Sequence, residues 1–151
     1  MKKRTGDPWM SGADYGRSLA ALTVNLLVRD IAATLVFQRE VLAANVIYAD
    51  VDFAAVSGHG AQWMFHADHT YDRHPLRAVV AGSARRGAGI ELRLHGCDPD
   101  RAEAAARRLG FEVLAGAADK PHGVREVFLS DADGYVWVPD VPIPDGGDGN
   151  A

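Results

Sequence analysis

Leu22-Thr23-Val24-Asn25-Leu26-Leu27-Val28-Arg29-Asp30-Ile31 is the stretch on which the fold turns. Leu22, Val24, Leu26 and Val28 alternate with Thr23, Asn25 and Leu27, and a period of two defines a strand. Asp30 then stands where a helix N-cap belongs, ahead of residues 31–43, in which Ile31, Thr34, Leu35, Phe37, Val41 and Leu42 share one broad face. The helix is expected to end near Ala44-Asn45, because asparagine tolerates the left-handed cap conformation. Three short strands are predicted next, at 46–49, 53–56 and 61–65, the last two joined by a turn at Ser57-Gly58-His59-Gly60.

The same order recurs downstream. Ile90-Glu91-Leu92-Arg93-Leu94 alternates as a strand, and Asp98-Pro99 supplies an N-cap with proline at the first helical position, where its missing N–H costs nothing. The helix over 99–109 places Ala102, Ala105, Ala106 and Leu109 on one face and Arg107 and Arg108 at the negative end of the dipole, with Gly110 as the C-cap. Strands follow at 111–114, 125–129 and 135–138, the last pair joined by Asp131-Ala132-Asp133-Gly134. Both halves thus read strand, helix, strand, strand, strand, and both close on Gly-x-x-Trp, at Gly60-Ala61-Gln62-Trp63 and Gly134-Tyr135-Val136-Trp137. Such internal repetition means two units stacked to bury one core. The units span about 19–67 and 89–141, and the connection over 68–88 is long enough to be expected to close over a cavity. Residues 1–18 have no apolar run behind their lysines, so they are expected to be a flexible leader and not a signal peptide. Residues 142–151 are expected to be a flexible tail.

Composition excludes several classes. The chain has 151 residues, 48% of them hydrophobic and 24% charged, which is ordinary for a folded globular domain. A net charge of −4 argues against a nucleic-acid partner. No apolar run is long enough for a membrane span, so no membrane partner is expected. The single Cys97 offers neither a disulfide nor a zinc knuckle, and one thiol suits the cytoplasm. Its place before a helix N-terminus would lower its pKa, but no partner residues for thiol chemistry are discernible. Gly82-Ser83-Ala84-Arg85-Arg86-Gly87 has P-loop spacing but is followed by Ala88 and Gly89 instead of lysine and a hydroxyl residue.

Three segments carry a family resemblance: Leu26-Leu27-Val28-Arg29-Asp30-Ile31 leading into the first helix, Leu109-Gly110-Phe111 leaving the second, and Leu129-Ser130-Asp131-Ala132-Asp133-Gly134-Tyr135-Val136-Trp137. Together, over about 22–141, they resemble the vicinal oxygen chelate superfamily, which includes glyoxalase I, extradiol dioxygenases, fosfomycin-resistance transferases and bleomycin-binding proteins. Ala132 replaces the proline of the family's hairpin. The resemblance implies an α+β fold of two βαβββ repeats forming a cupped, half-open barrel with helices outside and ligands inside, often as a homodimer. Metal-dependent members place ligands at positions that correspond to Thr23, Met64, Gly89 and Val138. None of these is an imidazole or carboxylate, so neither a metal nor another cofactor is expected.

Strand alternation separately predicts the cup lining. Thr23, Asn25 and Leu27, then Gln62, Met64 and His66, then Glu91 and Arg93, then Glu126 and Phe128, then Val136 and Val138 face inward, with Trp63, Phe65 and Trp137 behind. The candidate ligand-binding residues are therefore Thr23, Asn25, Gln62, Met64, His66, Glu91, Arg93, Glu126, Phe128 and Val138. Apolar surface with a few polar groups suits an organic ligand. Alternatively the polar members satisfy one another, Arg93 pairing with Glu91 or Glu126. No catalytic residue is defined, although Glu126 among apolar neighbours is a candidate acid or base with a raised pKa. The segment from His66 to His74 is expected to form the rim. The leading reading is a metal-independent small-molecule-binding protein, sequestering an antibiotic or metabolite. The alternatives are a glyoxalase- or dioxygenase-like lyase or oxidoreductase with a displaced metal site drawn from His66, His69, His74, Glu91 or Glu126, or a metal-free isomerase or lyase using Glu126.

Overall fold

The computed structural model describes residues 1–144. Among the described residues eight strands and two α-helices follow the predicted repeat, and two further short α-helices lie outside it. In the first unit β1 (Val24–Val28) leads through α2 (Ile31–Val36) to β2 (Asn45–Ala49), β3 (Phe53–Gly58) and β4 (Ala61–Ala67). In the second, β5 (Glu91–His95) leads through α4 (Pro99–Leu109) to β6 (Glu112–Asp119), β7 (Val124–Ser130) and β8 (Val136–Pro142). Each unit forms its own four-stranded mixed sheet, ordered β1-β4-β3-β2 and β5-β8-β7-β6. The outer strand pairs parallel with the last in both, β1 with β4 and β5 with β8. Trp63 lies opposite Val24 and Trp137 opposite Leu92, so the two Gly-x-x-Trp motifs occupy equivalent places.

That equivalence builds a single core. Trp63 and Trp137 meet at 5.4 Å between ring centroids, and Phe37 meets Phe111 edge-on at 5.0 Å. One continuous apolar cluster joins Leu26, Val28, Phe65, Val127, Leu129 and Leu94 from both sheets with Ile31, Leu35, Ala102 and Ala106 from both helices. The residues predicted behind the cup are therefore the ones that pack against helices.

Several local expectations are corrected. Leu22 is 86% exposed and Ile90 56% exposed, because each precedes the first paired residue of its strand and has no helix above it. The first helix tightens no further than Val36 and continues as a π-helical turn, Phe37–Val41. The wider turn brings Gln38 inward along with Phe37 and Val41, and the Gln38 Oε1 accepts the Trp63 indole N–H at 2.9 Å. Its left-handed exit residue is Ala43 (φ 53°), not Asn45, with the Ala44 N–H donating to the Gln38 carbonyl at 2.9 Å.

Residues 1–18, expected to be a flexible leader, lie against the first sheet and contain α1 (Gly12–Ser18), capped by the Ser11 hydroxyl. Strand β8 runs through Pro142 and the Ile143 N–H donates to the Gly123 carbonyl at 2.9 Å, so the predicted tail begins later than 142, and 145–151 lie outside the described residues. The connection holds a 3₁₀ turn (Asp68–Thr70) and α3 (Arg77–Val80). It is clamped between the units by Arg86, whose guanidinium donates to both Asp68 carboxylate oxygens at 2.7 Å and to the Leu27 carbonyl at 2.9 Å. The Tyr135 hydroxyl donates to the same carbonyl at 2.9 Å. Asp133 accepts the Arg29 backbone and guanidinium N–H groups at 3.1 and 2.8 Å.

Candidate functional site

The cup face of the first sheet is built by Asn25 on β1, Phe53 on β3, and Met64 and His66 on β4. Phe53 stands opposite His66 in the antiparallel pair, and Asn25 opposite Met64 in the parallel one. Asn25 links the strand to the connection. Its Nδ2 donates to the Tyr71 hydroxyl at 3.0 Å, which turns its Oδ1 toward His66 Nδ1 at 2.8 Å. The oxygen must accept there, so His66 carries its proton on Nδ1 and leaves Nε2 as a lone-pair acceptor. The ring packs between Phe53 and Tyr71, at 4.8 and 5.1 Å. Burial, then the nearby charges of Lys2 and His74, push its pKa down to about 4. His66 is neutral near pH 7.

The N-terminal segment forms the opposite wall. Asp52, 2% exposed, accepts the Lys3 N–H at 2.7 and 2.9 Å, the Arg4 N–H at 3.0 Å and His69 Nε2 at 2.7 Å. Burial alone would raise this carboxyl, but the hydrogen bonds from His69, Lys3 and Arg4 outweigh it and hold the pKa at about 2. Trp9 stacks on Tyr48 at 4.5 Å and lies almost parallel to Phe53 at 6.1 Å, with Tyr15 edge-on to Phe53 at 5.4 Å. Between segment and sheet remains a cavity of about 270 Å³, bounded by Trp9, Tyr15, Phe53, Met64 and His66, with Lys2 at its edge. The connection closes over a second hollow of about 220 Å³ beside Leu27, Tyr71 and Val80.

The predicted lining is thus divided. Met64 and His66 line the cavity and Asn25 positions His66. Thr23 and Gln62 instead border a separate hollow beside Leu19 and Leu22, because the N-terminal segment crosses the sheet between them and the cavity. Phe128 is half-buried and Val138 fully buried on the second sheet. Glu91 and Arg93 border a further hollow of about 250 Å³ with Gln62, Trp63 and Trp137, and Arg93 draws Glu126 to them. Arg93 bonds Glu126, Glu91 at 3.0 Å and Asp140 at 3.3 Å, while His95 reaches Asp140 at 2.7 Å and His122 lies 3.4 Å from Glu126. The raised pKa expected of Glu126 is reversed: burial pushes it up, but the Arg93 guanidinium and His122 more than offset this and hold it below the ordinary value. An ionised, paired Glu126 is not poised as a base. Similarly, the lowered value expected of Cys97 is reversed: burial pushes the thiol up to about 11 against the charge of Arg101.

Sequence reasoning missed Asp140, although it follows Val138 by two along one strand face. It also missed Phe53 and the three residues that the N-terminal segment brings, Lys2, Trp9 and Tyr15. Two aromatic residues in an otherwise polar leader were the available signal.

The four positions that the family resemblance marks for metal ligands do not fit a divalent cation. The Thr23 hydroxyl donates to the Ala20 carbonyl at 3.1 Å, Gly89 has no side chain, and Met64 and Val138 offer a thioether and a hydrocarbon. The His66–His74 segment does not assemble a ligand set: His66 turns to Asn25, His69 to Asp52, and His74 Nδ1 accepts the Leu76 N–H at 3.1 Å. Among the described residues no three His, Cys, Asp or Glu side chains are grouped to hold a metal.

Comparison with known proteins agrees at the level of fold. A glyoxalase/bleomycin resistance protein/dioxygenase family enzyme from Burkholderia phytofirmans PsJN superposes with a TM-score of 0.63 at 18% identity, over 80% of this chain and 97% of that one. TioX from Micromonospora sp. ML1 superposes with a TM-score of 0.60 at 16% identity, over 81% and 95%. FosX, a genomically encoded fosfomycin resistance protein from Listeria monocytogenes, does so with a TM-score of 0.60 at 15% identity, over 83% and 95%. No protein-family model and no curated protein matches the sequence. The chain has the vicinal oxygen chelate fold. At these identities the likeness concerns architecture, and function must be argued from the site.

Proposed function

We propose that the protein binds a small organic molecule without a metal, sequestering an antibiotic or metabolite. The observation that carries this reading is the half-open cavity of about 270 Å³ bordered by Trp9, Tyr15, Phe53, Met64 and the neutral His66. Small-molecule sites run from roughly 300 to 1,000 Å³, so this one suits a ligand of one or two rings better than a glycopeptide. The unsuitable donors at Thr23, Met64, Gly89 and Val138 support the metal-free part of the reading. Resemblance to the superfamily supports a homodimer, and the single thiol supports a cytoplasmic location. No described helix is long and apolar enough to cross a membrane.

A thermal-shift screen of several hundred chemically diverse small molecules, run beside metal analysis of the purified protein, tests this. Saturable stabilisation by at least one compound, in protein free of stoichiometric divalent metal, is the expected result. A screen with no hit, or a stoichiometric ion lost in His66→Ala or Glu91→Ala, overturns the reading. Sedimentation analysis checks the dimer.

A further inference from the structure

We propose that the cavity between the N-terminal segment and β3–β4 takes a small aromatic acid, a ligand of one or two flat rings carrying a carboxylate and an O–H or N–H donor. This rests on the small-molecule reading above and narrows it to one ligand class.

Shape comes from the walls. Trp9, Tyr15 and Phe53 border the cavity and pack on one another, Trp9 within 13° of parallel to Phe53 and Tyr15 at 76° to it, so the apolar boundary is largely aromatic. Such a boundary favours offset or edge-to-face contact with a planar ligand over a puckered one. Charge comes from what is already committed. Asp52 spends its carboxylate on the Lys3 and Arg4 N–H groups and His69, and Arg4 itself lies 3.8 Å from Asp50. Lys2 also borders the cavity, near enough to His66 to depress its pKa, and makes no ion pair among the described residues. A cation beside an aromatic slot attracts an anionic substituent and repels an amine. Polar specificity comes from His66. Its Nδ1–H is committed to Asn25, so the free Nε2 lone pair accepts a hydrogen bond from a ligand hydroxyl or N–H. A phosphate ester is a poorer fit, since the backbone N–H groups of Lys3 and Arg4 already face Asp52.

Calorimetry and tryptophan fluorescence at pH 7 and low salt with three probes test the assignment: 4-hydroxybenzoate, the cationic benzamidine and the non-aromatic cyclohexanecarboxylate. Saturable binding of 4-hydroxybenzoate with a change in Trp9 emission is expected. Cyclohexanecarboxylate should bind at least about tenfold more weakly, and benzamidine should not saturate. Lys2→Gln should weaken 4-hydroxybenzoate at least about fivefold and Lys2→Glu further, with melting temperatures unchanged because Lys2 is exposed. Trp9→Ala should abolish the emission change. Equal or tighter binding of benzamidine, unchanged affinity in both Lys2 variants, or no response to 4-hydroxybenzoate overturns the aromatic-acid assignment. The broader reading fails separately, if the diverse screen finds no ligand or the purified protein holds a stoichiometric metal ion.

Discussion

His66 and Asp52 make the first cup sensitive to acid through the same linkage. The folded protein holds His66 at about 4, below its ordinary 6.5, so the unfolded chain binds that proton more tightly. Its contribution to stability is present above pH 6.5 and is lost as pH falls toward 4. Asp52, held at about 2 against an ordinary 3.8, adds a second loss between those values. Asp131 works in the opposite sense. Burial raises its pKa to about 6, against the hydrogen bonds it accepts from the Trp137 indole and the Tyr135 and Asp133 N–H groups, so stability falls as pH rises from 3.8 to 6. Nuclear magnetic resonance titration should place the His66 midpoint near 4, and a midpoint at 6 or above would contradict the burial described here. Asp52→Asn should weaken the anchor of residues 3 and 4. A loss of about 1–3 kcal/mol in denaturant unfolding is expected, with Trp9 emission moving toward that of exposed indole. Wild-type Trp9 emission in this variant would show that the segment is held by its aromatic contacts alone.

At the scale of elements, two glycines that look alike in sequence carry different constraints. Gly110 ends α4 with φ +79° and has nothing within 4 Å of where a Cβ would stand. Gly134 has φ +82°, and a Cβ there would lie 2.5 Å from the Arg85 Cα and 2.6 Å from the Ala84 carbonyl oxygen. Gly110→Ala should therefore cost only the left-handed penalty, about 1–2 kcal/mol. Gly134→Ala should cost clearly more, because the backbone of the connection must also retreat. Paired unfolding measurements decide this, and equal costs would mean that the connection yields freely. The N-cap of α4 is a local feature. Asp98 accepts the Asp100 and Arg101 N–H groups at 3.0 and 3.1 Å, and Asp98→Ala should cost about 1 kcal/mol.

For the molecule as a whole, the shared core and the Arg86 clamp bind two sheets that have, among the described residues, no hydrogen-bonded ladder between them. The Arg86 side chain is 2% exposed and faces Asp68 and, at 3.8 Å, Asp133. Arg86→Met leaves the partly exposed Asp68 and the Leu27 carbonyl without this donor, while Asp133 keeps Arg29, and should destabilise by about 1–3 kcal/mol. Because Trp63 and Trp137 pack across the junction, unfolding should remain a single transition. Near-ultraviolet and far-ultraviolet circular dichroism traces should coincide, and separate midpoints would show that the units fold independently.

The repeat, the strands and the division into helix-side and cup-side faces were legible in the sequence because they depend on spacing along one element. Leu26, Val28, Phe65, Leu129 and Trp137 lie where their periodicity places them. The Arg93 pairing with Glu91 and Glu126 was also legible, since all three share the predicted cup face. Pairing across elements was not. Gln38 turns inward because Trp63 needs an acceptor for its buried N–H, and Arg86 is buried because a loop, a strand end and a hairpin converge on it. The same holds for the candidate site. By itself the sequence determined the cup and the lack of metal donors at Thr23, Met64, Gly89 and Val138. Only the tertiary structure decided which part of the cup is enclosed, since residues 1–18 have no periodicity of their own and take their place from Asp52, Tyr48 and Phe53 on the sheet they cover.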